Sequence, residues 1–289
     1  MTRKEFERRE KAAIAAFVDR NPELAYKYVM QIIEYNAKET VFRFRPPLDR
    51  EVDILKEKKI FLCKPREYTD DGDNAILFNI VELYRYFMLE MKPEKYGRYK
   101  TMLDSNFDDK IVETLENNSK YHDLCEKIRN ESLIACFSAN YDDYMWTNYA
   151  QDSEGICVVY NLKELFLNLT EGLKLFPVRY VDNRRKQSDI RFGVADYGKE
   201  ESCYDNEHYK YVLSCLTKEK EPFYKEAEWR LFSEYEDIPI ESPGKKFTLE
   251  VKPVCIVLGK NIDRHPNFKR KVIEFATESD IKVMDAKCL

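Results

Sequence analysis

Four short apolar runs constrain this chain most: IFLC (60–63), SLIACFS (132–138), GICVVY (155–160) and VCIVL (254–258). Each is rich in β-branched or aromatic residues and is bounded by polar stretches, which is the length and chemistry of buried strands. A further run, VFRFR (41–45), alternates apolar and basic residues and stops at Pro46-Pro47, where ladder donors are missing. Additional strands are expected at 176–181, 229–235, 247–251 and 282–284. The last of these, with 254–258 and a helix at 268–277, makes one crossover unit.

Helices fill the intervals. Thr2 and Glu5 have capping-box spacing, and Asn21 precedes Pro22 as a cap precedes proline at the first helical position. Residues 1–38 therefore read as a helical hairpin, an extension suited to docking a partner. A short helix is expected at 49–58. Ile76, Ile80, Leu83, Tyr84, Phe87 and Met91 keep helical spacing, and 108–129 continues it, giving a helical insert at about 74–131. The charged stretch up to about 205 is expected to be a mobile loop. The fold class is α+β, with a mixed or antiparallel twisted core sheet, helical insertions and a single domain over 39–289.

Composition removes several functions. The net charge of −5 over 289 residues offers no global attraction to phosphate backbones or anionic membranes. No apolar run reaches a membrane span, and the N-terminus lacks an apolar signal core, so a cytoplasmic protein with no membrane partner is expected. Eight cysteines without a C-x-x-C pair read as reduced packing residues, and three separated histidines give no zinc site, so no metal is expected. His122, His208 and His265 lie in polar contexts unsuited to catalysis. With eight glycines and neither G-x-G-x-x-G nor G-x-x-x-x-G-K-[ST], the usual glycine-built phosphate cradles are missing. No G-x-S-x-G or H-E-x-x-H occurs either. Catalysis would then run on carboxylate, arginine, tyrosine or serine.

The segment YKEAEWRLF (224–232) is the candidate. Read as a strand, it puts Glu226, Glu228 and Arg230 on one face and Trp229 and Leu231 on the other. Three further segments join it: Arg43 and Arg45 in VFRFR, Ser138 ending ACFS, and Trp146, Asn148 and Tyr149 in YMWTNYA.

These segments, in this order, resemble the bacterial family catalogued as domain of unknown function 2971. That family opens on a strand of the type L-Y-K-Y-R, continues through C-F-S and M-W-x-x-Y-A with a following glycine, and later shows K, W and E-x-E-x-R. Here the parts are Phe42 to Arg45, Cys136-Phe137-Ser138, Met145-Trp146 with Tyr149-Ala150, Gly155, Lys218, and Glu226 to Arg230. The resemblance spans roughly 41–284. Asp70-Asp71 stands where many members have Asn-Asp-Pro, with Thr69 before it, and Asn148 stands where many have histidine.

The arginine, serine, glutamate layout also looks like that of ADP-ribosyltransferases. That likeness implies an NAD-consuming transferase or glycohydrolase, with NAD as substrate and a protein or nucleic-acid acceptor left open. Glu228 would be the catalytic acid and Glu226 would orient the acceptor. Arg43 or Arg45 would clamp phosphates, Ser138 would support the ribose, Trp146 or Tyr149 would stack on nicotinamide, and Arg230 would favour a phosphate-bearing ligand. A bacterial stress or antiviral setting is a family-level expectation.

Two other functions stay open. Glu226, Glu228, Asp142 and Asp143 could be ligands of a metal-dependent nuclease. The chain could also be a non-enzymatic module that senses a small ligand. Each residue has a plainer reading as well: a solvated charged strand face for the glutamates, the polar face of an edge strand for the arginines, and packing for Trp146 and Tyr149.

Overall fold

The computed structural model describes residues 2–18, 21–35, 39–68, 117, 119–170, 172–182, 216–233, 239 and 241–286. The expected insert therefore lies outside the described residues, except for its last helix, and so does most of the expected loop up to 205.

Helices α1 (Arg3–Val18) and α2 (Pro22–Tyr35) form the N-terminal hairpin. Thr2 and Glu5 cap reciprocally: the Glu5 amide donates to Thr2 Oγ1 (3.3 Å) and the Thr2 amide to Glu5 Oε2 (2.9 Å). Asn21 Oδ1 accepts from the Leu24 amide at 3.1 Å and starts α2. Ala13, Ile14 and Phe17 of α1 and Ala25, Val29 and Ile32 of α2 are buried. Phe17 meets Phe176 at 5.4 Å and Phe232 at 5.9 Å, both edge-on, so the hairpin closes one face of the main core.

Among the described residues, the core is a nine-stranded sheet. One limb contains β1 (Thr40–Arg45), β4 (Ile156–Asn161), β10 (Cys255–Leu258) and β11 (Lys282–Asp285); a second contains β2 (Lys59–Cys63) and β9 (Gly244–Thr248). Both limbs join the central strand β3 (Ile134–Ser138) along one edge. On its other edge β3 pairs with β8 (Glu228–Ser233), and β8 pairs with β5 (Leu173–Pro177). Within this sheet every pairing is antiparallel except β10 with β11, which α7 (Pro266–Glu278) connects as the expected crossover unit. The short strands β6 (Arg179–Val181) and β7 (Thr217–Glu219) pair separately in parallel. The run expected as one strand at 176–181 is thus two, β5 and β6.

The join at β3 positions everything that follows. Strand β1 meets β3 at Phe42↔Ser138, whereas β2 meets it at Cys63↔Ile134, the opposite end of the same edge. The two limbs then diverge, and the sheet forks. Among the described residues the remaining helices are α3 (Asp49–Lys56), α4 (Ser119–Glu131), α5 (Asp143–Tyr149) and α6 (Leu162–Leu167). Helix α5 covers the β1–β4–β10 face through Met145 and Trp146, packed with Phe44, Cys157, Val159 and Val257. Among the described residues, no helix is long and apolar enough to cross a membrane.

The strand expected over the acidic segment is shorter than its alternation suggests. Glu226 ends a 3₁₀ turn (Phe223–Glu226), Ala227 adopts the left-handed conformation (φ 42°), and β8 begins at Glu228. One residue outside the extended region breaks the period of two, so Glu226 and Glu228 are not successive members of one strand face.

Candidate functional site

A cavity of about 120 Å³ lies in the fork. Strand β1 contributes Phe42 to Arg45, β2 contributes Phe61 and Cys63, and β3 contributes Cys136, Phe137 and Ser138. Met145 and Tyr149 come from α5, Tyr68 from the turn after β2, and Glu226 and Glu228 from the start of β8. Of the eight residues given a site role from the sequence, six line it: Arg43, Arg45, Ser138, Tyr149, Glu226 and Glu228. Arg230 does not line it; on β8 it pairs with Cys136, two residues beyond the Glu228–Ser138 pair. Trp146 does not line it; the indole is 3% exposed and packs edge-on against Phe44 (5.2 Å) and Tyr141 (5.9 Å).

The two glutamates are buried, at 3% and 5% exposure, which removes the solvated-face reading. Each has a cation. Lys218 Nζ donates to Glu226 Oε2 at 2.7 Å and lies 3.6 Å from Glu228 Oε2. Arg230 holds Glu228 with two bonds, Nε to Oε1 at 2.6 Å and Nη2 to Oε2 at 3.1 Å. Tyr149 donates its hydroxyl to Glu226 Oε1 at 2.6 Å, joining α5 to the network. The Glu228 amide donates to Tyr180 Oη at 3.0 Å, and burial together with the nearby Glu228 charge pushes that phenol well up. Ser138 donates to the Glu226 carbonyl at 2.6 Å and accepts from the Asn140 amide at 2.9 Å, so its hydroxyl fixes the turn that carries Glu226.

The environments push the two carboxyls apart. Burial raises Glu226 from its ordinary value against the pull of Lys218, and the charge of Glu228 adds to the rise. At Glu228 burial also pushes upward, but Arg230 and Lys218 outweigh it and hold the group at about 2. Glu228 stays ionised, while Glu226 is the better proton acceptor.

The arginines of β1 differ as well. Arg45 forms a two-bond pair with Glu51 of α3 (Nε–Oε2 2.6 Å, Nη2–Oε1 2.7 Å), and its charge is already matched. Arg43 reaches across the fork, donating from Nη2 to the Phe61 carbonyl at 3.2 Å, with its guanidinium 5.6 Å from the Phe137 ring centroid. Its Nη1 is buried and has no hydrogen-bond partner among the described residues.

The local sequence explains how Tyr149 is aimed. Asp142 caps α5 by accepting from the Met145 amide at 3.1 Å. After Ala150 the chain makes three successive left-handed residues, Gln151, Asp152 and Ser153 (φ 49°, 50° and 64°), then enters Gly155. A Cβ on Gly155 would lie 2.0 Å from the Arg45 carbonyl oxygen, so only glycine lets β4 start against the end of β1. The M-W-x-x-Y-A-to-glycine spacing therefore fixes Tyr149 relative to Arg45. Asn148 is exposed and donates to the Tyr144 carbonyl (2.8 Å), so this departure from the motif falls outside the cavity. Asp70-Asp71 lies outside the described residues.

This geometry coincides with the family comparison. Residues 145–231 match the family described as Protein of unknown function (DUF2971). The matched segment begins in α5 and ends in β8, so it holds Tyr149, Lys218, Glu226, Glu228 and Arg230, while Arg43, Arg45 and Ser138 come from outside it. The family resemblance read from the motifs is borne out over this interval. No curated protein and no solved structure matches the chain.

Sequence reasoning missed the roles of Lys218, Tyr180 and Glu51. Lys218 stood in the motif as a bare lysine, and a lysine eight residues before Glu226 has no periodic relation to it. Tyr180 and Glu51 carried no sequence signal; their partners are set by β6 and α3 docking on the sheet.

Proposed function

We propose that the chain is an NAD-consuming enzyme of the ADP-ribosyltransferase type, a transferase or glycohydrolase, and that the fork cavity is its reaction centre. The observation carrying this reading is the pair of buried carboxyls with opposite proton affinities on one cavity wall. Such a pair divides labour between an ionised stabiliser and a proton acceptor. Breaking the bond between ribose C1′ and nicotinamide sends the bonding electrons out with the neutral base and leaves positive character on the ribosyl carbon. Glu228, held ionised, stabilises that charge. Glu226 accepts the proton of the attacking acceptor hydroxyl, amine or water as the new C1′ bond forms. Tyr149 positions Glu226, while Arg230 and Lys218 keep the network rigid in a site walled by protein.

The nuclease reading loses support on charge. Lys218 and Arg230 already balance both glutamates, and a dication would have to compete with them. Asp142 is committed to capping α5, and Asp143 is exposed and pairs with Lys260 at 3.3 Å. A ligand-sensing module remains the second reading, favoured by one observation: each carboxylate is already paired with a protein cation, Glu226 with Lys218 and Glu228 with Arg230.

Incubation with NAD and chromatographic detection of nicotinamide tests the proposal. Wild-type protein releases nicotinamide, and Glu228→Gln, checked for folding by circular dichroism, loses at least about a hundredfold in rate. No release, together with no NAD-induced rise in melting temperature, would sink the enzymatic reading and leave the sensor.

A further inference from the structure

We infer that Asn261 and Glu154 are positioning residues for the site: through them the turn between β10 and α7 (259–265) holds the end of α5, and with it the hydroxyl of Tyr149 against Glu226. Neither residue lines the fork cavity. The inference rests on the reading of Glu226 as proton acceptor and deepens it, because it names what outside the cavity aims the tyrosine that bonds that carboxyl.

Three observations carry it. First, the chain leaving α5 is strained. Gln151, Asp152 and Ser153 are left-handed in succession, a costly conformation for residues with a Cβ, so local propensity does not hold the turn that follows Tyr149. Second, the β10–α7 turn bonds each residue from 152 to 155. Asn261 Nδ2 donates to the Asp152 carbonyl at 2.8 Å, the Asn261 amide to the Ser153 carbonyl at 2.9 Å, and the Gly259 amide to the Gly155 carbonyl at 2.9 Å. Glu154 accepts from Arg264 Nη1 at 2.7 Å and lies 2.8 Å from His265 Nε2, while Gln151 Nε2 donates to it from its own turn at 3.0 Å. A Cβ on Gly259 would lie 2.1 Å from the Ser153 carbonyl oxygen, so the two turns touch backbone to backbone. Third, the same turn reaches the other end of α5, where Lys260 Nζ donates to Asp143 Oδ1 at 3.3 Å. One turn thus braces α5 at both ends. Met145 and Trp146 set which face of the helix meets the sheet, and the brace sets how far its last turn extends toward Glu226, the displacement to which a 2.6 Å hydrogen bond is most sensitive.

The test observes Tyr149 directly and needs no turnover. 3-Fluorotyrosine is placed at position 149 of the full chain, and its fluorine resonance is recorded with and without Glu226→Gln. In the wild-type background Glu226→Gln is expected to shift the resonance, because an amide replaces a carboxyl as acceptor. Asn261→Ala and Glu154→Ala are each expected to move the resonance and to remove most of its response to Glu226→Gln. Gly259→Ala, which forces the two turns apart with every side-chain donor in place, is expected to do the same. Asn261 is exposed, so its truncation leaves no buried void. Ile32→Ala, at a fully buried position of the N-terminal hairpin, is expected to destabilise the chain while leaving resonance and response as in wild type, which separates aim from stability. A folded Asn261→Ala or Glu154→Ala that keeps the wild-type resonance and response overturns the role of that residue, and both doing so leaves packing alone to aim Tyr149. A wild-type resonance indifferent to Glu226→Gln overturns the inference without recourse to the brace. In nicotinamide release from NAD the brace variants are expected to lower kcat by up to about a hundredfold with KM unchanged. A fluorine response that the variants abolish, in a protein that releases no nicotinamide, would sustain the brace and overturn the glycosidic reaction alone.

Discussion

Strands β8 and β10 are both buried along their whole length, yet they are built on opposite principles. β10 is Cys-Ile-Val-Leu and contributes only apolar packing to the two faces of its limb. β8 is Glu-Trp-Arg-Leu-Phe-Ser: Trp229, Leu231 and Phe232 join the core, while Glu228 and Arg230 are buried as an ion pair with Lys218 and Glu226 beside them. Burying charge costs several kcal/mol per ion before pairing returns part of it, and well-packed hydrophobic residues usually do as well or better for stability. A fold that needed only a strand at this position could have repeated the pattern of β10. Glu228 faces the cavity and Arg230 holds it there as a carboxylate, so the charges of β8 are best explained by the cavity at its start, and the contrast separates residues that hold the sheet together from residues that equip it.

The sharpest way to break the comparison is to remove one partner from each strand's environment. Lys218→Met leaves Glu226 buried without its cation and is expected to cost about 3–5 kcal/mol in urea unfolding, with part of that recovered when Glu226→Gln is added. Ile256→Ala, at a fully buried position of β10, is expected to cost about 3 kcal/mol, and no second polar substitution should rescue it. If Lys218→Met proves neutral, the network on β8 is not the coupled unit described above.

Acid titration sharpens the contrast further. Glu228 falls from an unfolded value of 4.5 to about 2 on folding, so the stability it contributes is complete above pH 4.5 and is lost as pH falls toward about 2. Glu226 has the opposite sign: its folded affinity for a proton is raised, so its contribution is lost as pH rises through that raised value. Subtracting the pH profile of Glu228→Gln from that of the wild type should expose an acid limb confined to this window. A profile unchanged by the substitution would mean that Glu228 is not held by its ion pairs.

The smallest effect concerns the turn. Ala227 sits at φ 42°, where a Cβ is strained, so Ala227→Gly is expected to stabilise the protein by about 0.5–1 kcal/mol while leaving Glu226 and Glu228 in place. Thermal unfolding measures it. Destabilisation instead would show that the alanine methyl contributes packing that outweighs the strain.

Much of the fold could be read along the chain because its signals are local. The capping pairs at Thr2–Glu5 and Asn21, the prolines after β1, the short apolar runs of β2, β3, β4 and β10, and the β10–α7–β11 crossover depend on neighbours within a few residues, where periodicity and missing donors act directly. The sequence also named six residues that line the cavity, through motif and alternation. Tertiary structure alone decided the rest: that β1 and β2 leave β3 at opposite ends and open a fork, that Arg45 is consumed by Glu51 while Arg43 is not, that Trp146 turns into the core, and that Lys218 and Arg230 bury the charge of Glu226 and Glu228. Those outcomes depend on which strands pair and on how much water each side chain loses. Neither is encoded in spacing, because pairing is fixed by the packing of the whole sheet and desolvation by everything that closes over it.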